Sequence, residues 1–418
     1  MATHPVLVEQ LQVPLVSVLE ETLASHRYAL GLDQENADTL FNTAQVLTSL
    51  SEEISKDDSV SDLPAVKYLE EALELLQRCL ALQEFRYTEF QEQAAEALQS
   101  SQEAGEGGTP MDETQDPRES SDAGLEQEQW ASIIEPVTKD VLIDTAIAQL
   151  STLTTLCGIL GSSPEAPGVP SLAWVEEYSS KLLNQRLPTL TEDTDRTAEA
   201  AVAKAVFISA MLEAGFRTDK IEVQTYRQER DAAFSALAMS DSATALMANV
   251  ASLFAFNHAL SETESLPAAS LDLASLRWNA LAAAISNLAT ASKISDIAAE
   301  DLPKTHLLRG DASLYQYQLS KPPLSYAEAL KNSAILLKNA AVFYRNASRL
   351  THDDEERDKS RVQEAIVVSQ EANTQGDRTQ LETIAANRGE KWLRDHIDEM
   401  VADGLLSDDD LRNMGLGR

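Results

Sequence analysis

One short pattern occurs twice in this chain and limits the folds that the chain can adopt. Both copies have a leucine, a threonine three residues later and an alanine directly after it: Leu40, Thr43 and Ala44 in TLFNTAQVL, and Leu142, Thr145 and Ala146 in VLIDTAIAQL. Spacings of three and four residues place side chains on one face of an α-helix. A second amphipathic segment lies beside each copy, so we expect helix pairs that bury their apolar faces against neighbouring pairs.

The composition also favours helices. The chain has 418 residues, of which 43% are hydrophobic but only 5% aromatic, with 15 glycines and 14 prolines. Strands need more aromatic and β-branched residues and more turn residues than this. We therefore predict an all-α protein, either one extended solenoid or two or three globular domains.

The charge balance restricts the choice of partner. With 33 basic and 68 acidic residues the formal net charge is -35, which repels nucleic acid phosphates and anionic membranes. No run of Lys and Arg offsets this charge, so neither direct nucleic acid binding nor membrane binding is predicted. A basic protein segment is the natural opposite, although acidity can also serve only solubility.

The cysteines and the N-terminus indicate the compartment. Cys79 and Cys157 lie in apolar helical patterns without a CxxC pair, so a disulfide framework or a zinc site is not expected. The segment MATHPVLVEQ lacks the basic and apolar regions of a secretory signal. We expect a cytoplasmic protein that can also be nuclear, with no metal and no cofactor.

Changes in composition divide the chain into four parts. Residues 6–98 read as N-terminal helix pairs, and 99–129 as a disordered acidic loop that is an inert insertion, an electrostatic lure or a phosphorylation site. Residues 130–350 form a central helical region, in which the uncharged segment 242–261 is predicted to be a buried helix rather than a membrane span. Residues 351–418 should form an exposed helix, a helical cap and a mobile acidic tail.

Several segments match the pattern of one repeat family. Residues 29–33 (ALGLD) resemble the end of one repeat and 36–47 the start of the next, and further matches have the spacing of a second helix: Ala72, Leu76 and Cys79, and Ala340, Tyr344 and Ala347. These helix pairs resemble the tetratricopeptide repeat family. The resemblance implies antiparallel helix pairs that form a superhelix with a C-terminal capping helix. An irregular all-helical domain of another superfamily is the alternative.

The same resemblance implies a binding surface. In such repeats the first helix of each pair lines a concave face, and its outward side chains contact the partner. By position these side chains are Asp38, Asn42, Gln45, Asp144, Arg277, Trp278 and Arg309. An ordinary solvated helix face is the alternative interpretation of each.

Catalytic motifs have little support. Asp193, Asp195 and Thr197 spell the D-x-D-x-T of aspartyl-nucleophile phosphatases, but no apolar strand delivers the first Asp, and capping of the following helix explains the acidic residues. No HExxH, phosphate loop or GxSxG elbow is present. The sequence predicts a non-enzymatic scaffold or adaptor, such as a dedicated escort chaperone for a basic client of the ribosomal or other nucleic-acid-binding kind. A structural subunit bound through apolar helix faces is the competing hypothesis.

Overall fold

The computed structural model describes residues 14–56, 61–105, 136–162, 172–263, 270–295, 297–372 and 378–414. Over these ranges the chain is helical and contains no strand, which confirms the predicted all-α class. The helices are α1 (Leu15–Leu32), α2 (Ala37–Ile54), α3 (Leu63–Gly105), α4 (Lys139–Ser162), α5 (Leu172–Lys181), a π-helical turn (Leu182–Arg186), α6 (Leu187–Thr191), α7 (Thr197–Arg217), α8 (Val223–Ser235), a 3-10 turn (Met239–Asp241), α9 (Ala243–Glu262), α10 (Ser270–Ala291), α11 (Asp301–Gln318), α12 (Ala327–Leu350), α13 (Asp354–Ala372), α14 (Arg378–Arg388), α15 (Glu390–Ala402) and α16 (Asp408–Met414).

The chain packs as two compact units. Unit 1 is formed within Met1–Ile159 and Glu165–Ala200, and unit 2 within Leu160–Pro164 and Ala201–Arg418. Each unit has its own clusters of buried apolar side chains.

The two repeated triplets are part of the core of unit 1. All six of their side chains are buried, because the three-four spacing turns them to the same side of α2 and of α4. Asn36 begins α2 by accepting a hydrogen bond from the Thr39 backbone N–H at 2.9 Å, which satisfies one of the free amides at the helix start.

Hydrogen bonds show the directions of the helices in unit 1. Ser51 donates to the Ala65 carbonyl and Cys79 to the Ala37 carbonyl, so α3 runs antiparallel to α2. The hydroxyls of Thr48 and Thr152 lie 3.1 Å apart. Thr155 donates to the Glu52 carboxylate at 3.0 Å, one turn further along both helices. Hence α2 and α4 are parallel neighbours.

The first apolar cluster of unit 2 involves helices α8 to α10. Tyr226 packs edge-on against Phe256 with ring centroids 4.9 Å apart, and Leu253, Ala284 and Leu288 complete the contact. Both aromatic rings are fully buried. Ala280 and Ala284 of α10 belong to the same cluster, and such small side chains permit close packing of helices.

The predicted buried helix 242–261 is present as α9. Its polar side chains are paired inside the protein: Asn249 accepts from Arg230, Ser252 bonds Ser209, Asn257 accepts from Arg277, and His258 bonds the Asp403 carbonyl. By length and composition alone, α4 and α9 are both apolar enough to cross a bilayer. In α4 67% and in α9 50% of the apolar window is buried within the protein, as in a core helix.

The boundary of the predicted acidic loop is wrong at its N-terminal end. Helix α3 continues to Gly105, beyond the expected end at Leu98, because QEQAAEALQSSQEA is rich in residues that favour helix. The remaining loop residues 106–129, and the expected helix start at Trp130, lie outside the described residues. The next described helix begins at Lys139.

The C-terminal part differs from the sequence expectation in two places. The helix after the charged THDDEERDKS is not exposed, since α13 buries Val362, Ala365, Ile366 and Val367 in the second cluster of unit 2. Most of its charges lie in the first two turns, and the apolar residues that follow recur every three or four positions. Helices α14 and α15 form in the segment where a helical cap was predicted, and their apolar side chains join the same cluster.

The second difference is the predicted mobile tail, of which 407–414 are ordered. Ser407 and Asp410 exchange hydrogen bonds with each other's backbone N–H, at 2.8 and 3.2 Å, and so cap α16. The buried Asp410 carboxylate also forms an ion pair with Lys321. A serine followed by an acidic residue three positions later is a capping-box signal, and Leu411 and Met414 then turn toward the core.

Candidate partner-binding surfaces

Three predicted contact residues lie on one exposed line of α2. Asp38, Asn42 and Gln45 are all exposed, and Glu52 continues the line two turns further on. The buried seam on the other side of α2 fixes the helix, so the positions of these side chains are set by the core. We name the exposed line of Asp38, Asn42, Gln45 and Glu52 the α2 polar face.

The fourth predicted residue, Asp144, is exposed on the neighbouring helix α4. Because α2 and α4 are parallel and joined through Thr48 with Thr152 and Glu52 with Thr155, Asp144 and the α2 polar face belong to adjacent helices. The structure therefore brings four of the seven predicted residues onto two neighbouring helices of unit 1.

The Asp144 end of this surface holds a guanidinium group. Arg196 lies 2.6 Å from the Asp144 carboxylate, donates to the Asp140 carbonyl at 3.0 Å and forms two hydrogen bonds to Glu199, at 2.7 and 2.8 Å. The hydrogen bond from Arg196 lowers the pKa of Glu199. Carboxylates and a helix carbonyl on this surface are thus spaced to bind the side chain of an arginine.

The three predicted residues of unit 2 have structural contacts instead. Arg277 is buried and donates to the Asn257 side chain at 2.9 Å. Trp278 is half-buried with its ring 5.9 Å from that of Tyr326. Arg309 stacks 4.1 Å over the Phe343 ring, and burial lowers the pKa of its guanidinium. The structure does not present Arg277 to solvent, because the first turns of α10 pack against α9 and α11.

The D-x-D-x-T residues occupy a turn between two helices. Asp193 and Asp195 are exposed, and Asp193 has a positive φ of 60°. Thr197 begins α7 and donates to the carbonyls of Thr191 and Thr194. The first Asp therefore follows a helical turn rather than the strand that phosphatase chemistry requires.

Cysteine thiols and metal ligands are two further kinds of group that can form a reactive site. Both cysteines are buried and neither forms a disulfide bond. Burial raises the pKa of Cys79 to about 11, which keeps it in the unreactive thiol form. Among the described residues, no group of three His, Cys, Asp or Glu side chains is placed to hold a metal ion.

Asp311 of α11 is an acidic residue within a helical pattern of buried positions. In the structure it accepts a hydrogen bond from the Tyr344 hydroxyl at 2.8 Å. Burial raises the pKa of this carboxyl to about 7. The signal that could have found it was an acidic residue within a buried helical pattern.

Comparison of the chain with models of protein families, with characterised proteins and with solved structures finds no significant match.

Proposed function

We propose that this protein is a non-catalytic, tetratricopeptide-like helical scaffold that binds a basic protein segment, as an escort chaperone does for a ribosomal or other nucleic-acid-binding client. The observation that carries the proposal is the α2 polar face with Asp144 beside it on the adjacent helix α4, where Asp144 and the Asp140 carbonyl already bind the guanidinium of Arg196. A client arginine or lysine would donate hydrogen bonds to the carboxylates of the α2 polar face in the same way.

The helix arrangement supports the repeat part of the proposal. Helix α3 is antiparallel to α2, and α4 is parallel to α2, as expected when the first helices of successive pairs form one layer. Such a layer makes an extended surface suited to an extended segment. The net charge of -35 adds long-range attraction for a basic client and speeds encounter at low salt.

Fluorescence anisotropy tests this function with a labelled peptide of alternating Arg-Gly and Lys-Ser units. We expect the affinity of the full chain to fall by about tenfold or more between 50 and 200 mM salt, since each screened ion pair contributes to binding. The double variant D38N/E52Q should weaken binding further. The matched control E74Q/E89Q removes two exposed carboxylates of α3 and should bind as the unmodified protein does.

Equal losses in the two double variants would show that only net charge matters, and would refute the assignment of the α2 polar face. Binding that does not respond to salt would refute the electrostatic mechanism altogether.

A structural subunit of a larger complex is the second candidate function. It is favoured by large apolar side chains that unit 1 leaves exposed, above all Tyr28 at 72% and Leu32 at 74% on α1. Such side chains are common at the centre of protein interfaces. This function predicts a stable complex whose affinity is insensitive to salt and is lost in the variant Y28S/L32S.

A further inference from the structure

Helix α12 of unit 2 has an exposed face whose chemistry differs from that of the rest of the chain. Its outward residues recur at intervals of three and four: Lys331, Ile335, Lys338, Val342, Arg345 and Arg349, all of which are exposed. We name these six residues the basic-apolar face. The helix carries four cationic side chains and a single carboxylate, Glu328 in its first turn, within a protein that has twice as many acidic as basic residues.

The apolar members of this face are more exposed than is usual for their type. Ile335 is 59% and Val342 is 41% exposed, one on each side of Lys338. Single exposed apolar residues need no explanation, but here two lie two turns apart on one line with cations between and beyond them. This is the pattern of a surface that pairs with another amphipathic element.

The face is held in place from its other side. Leu337, Ala340, Ala341 and Tyr344 of α12 are buried against α11 and α13 in the second cluster of unit 2. Arg349 lies 18 positions after Lys331, so a helix rise of 1.5 Å per residue gives the face a length of roughly 27 Å. A surface of this length fits about five turns of a partner helix.

The C-terminal end of the face opens into an arginine-lined cavity of about 430 Å³. Arg345 and Arg349 line it from α12, and Arg357 and Arg361 from α13. Arg345 pairs with Glu364 at 2.6 Å and Arg361 with Asp358 at 3.5 Å. Lys331, Lys338 and Arg349 form no ion pair with another residue that the structure describes, so their charges remain available to a ligand.

We propose that the basic-apolar face binds an acidic amphipathic helix of a partner protein. The partner's carboxylates would contact Lys338, Arg345 and Arg349, and its apolar side chains would cover Ile335 and Val342. Charge complementarity identifies this occupant, because cations alternate with the apolar positions along one helix line, and Lys331, Lys338 and Arg349 among them form no ion pair with another described residue. An anionic membrane fits less well, since the two β-branched side chains give little area for insertion and the whole protein carries -35.

The test measures binding of the full chain to a designed peptide by fluorescence anisotropy. The probe is a labelled helical peptide of three heptads with Leu and Glu on one face, and the control peptide has the same composition in scrambled order. We expect the ordered peptide to bind at least tenfold more tightly. The variant K338E/R349E should lose about tenfold or more, and I335S/V342S about fivefold, as charge reversal and loss of apolar cover predict.

Matched variants separate this site from the general charge of the protein and from its other surface. K67E/K391E reverses two exposed lysines outside the face and should bind the ordered peptide normally. D38N/E52Q should also bind it normally, because the α2 polar face belongs to the separate proposal for basic clients. Circular dichroism of each variant verifies that the helices are retained.

Three results would overturn the proposal. The first is equal binding of the scrambled peptide, and the second is an equal loss in K67E/K391E. The third is that the protein binds vesicles of phosphatidylcholine with 30% phosphatidylserine more tightly than it binds the ordered peptide, and that K338E/R349E abolishes the vesicle binding. This result would show that the basic-apolar face binds membranes instead.

Discussion

Replacing Asp311 by Asn is expected to stabilise the folded protein above neutral pH. Asp311 accepts a hydrogen bond from Tyr344 at 2.8 Å within the second cluster of unit 2. Burial and, to a smaller extent, the charge of Asp403 raise the pKa of its carboxyl from 3.8 to about 7, although the hydrogen bond from Tyr344 lowers it. At pH 8 the native state must therefore keep a carboxylate in an environment that favours the neutral acid. Asn has nearly the same shape and still offers an oxygen to Tyr344.

The size and sign of the effect follow from proton linkage. The pKa difference is about three units, and each unit corresponds to about 1.4 kcal/mol, so charging Asp311 costs the folded state about 4 kcal/mol at most. Because the folded pKa is raised, the stability associated with the protonated acid is fully present below about pH 4. It is lost as the pH rises through about 7. Allowing for partial solvent access, we expect D311N to gain about 2–4 kcal/mol over the native protein at pH 8.

Urea unfolding followed by circular dichroism at pH 5, 6, 7 and 8 would measure this gain. The difference between D311N and the native chain should grow steadily with pH and level off above pH 8. The control D409N changes an exposed carboxyl of α16 and should show no such trend. Y344F removes the donor that stabilises the charged form, so it should destabilise more at pH 8 than at pH 5. A D311N protein that is less stable at pH 8, or a difference that does not change with pH, would refute the reasoning.

Two further predictions concern packing around the same cluster. G310A should destabilise by about 1–3 kcal/mol, measured as a lower urea midpoint, because an added Cβ would lie 2.5 Å from the Tyr344 ring; in G158A the Cβ meets no atom within 4 Å, and that variant should be neutral or stabilised. D410A should destabilise by about 2–4 kcal/mol, since it leaves Lys321 partly buried without its ion pair. Limited proteolysis should then cut D410A near α16 faster than the native protein, and equal cutting rates would contradict this role.

The sequence allowed prediction of most helices and of one part of the candidate site. Where apolar residues recur every three or four positions, as at Leu40, Thr43 and Ala44, the buried side of the helix is determined locally, and its exposed side follows. Asp38, Asn42 and Gln45 could be identified for this reason, and all three are exposed.

The same reasoning failed where a helix is surrounded on several sides. In α10 the alanine-rich pattern has no clear polar side, so it could not indicate which residues face solvent. Arg277 looked like a surface cation, yet it is buried against Asn257 of α9. Which side of such a helix is covered depends on neighbours distant in sequence, and no local pattern contains that information.

The basic-apolar face was missed for a different reason. A search for runs of Lys and Arg finds adjacent charges, but the cations of α12 are separated by four to seven residues and become neighbours only after the helix has formed. The strongly acidic average of the chain also hides them, because net charge is summed over all residues. A helix places side chains seven residues apart about 10 Å from each other, which is close to the screening length at ordinary salt. A partner helix therefore experiences the combined electrostatic potential of these cations. For this reason an acidic protein can present one cationic surface although its sequence contains no run of Lys and Arg.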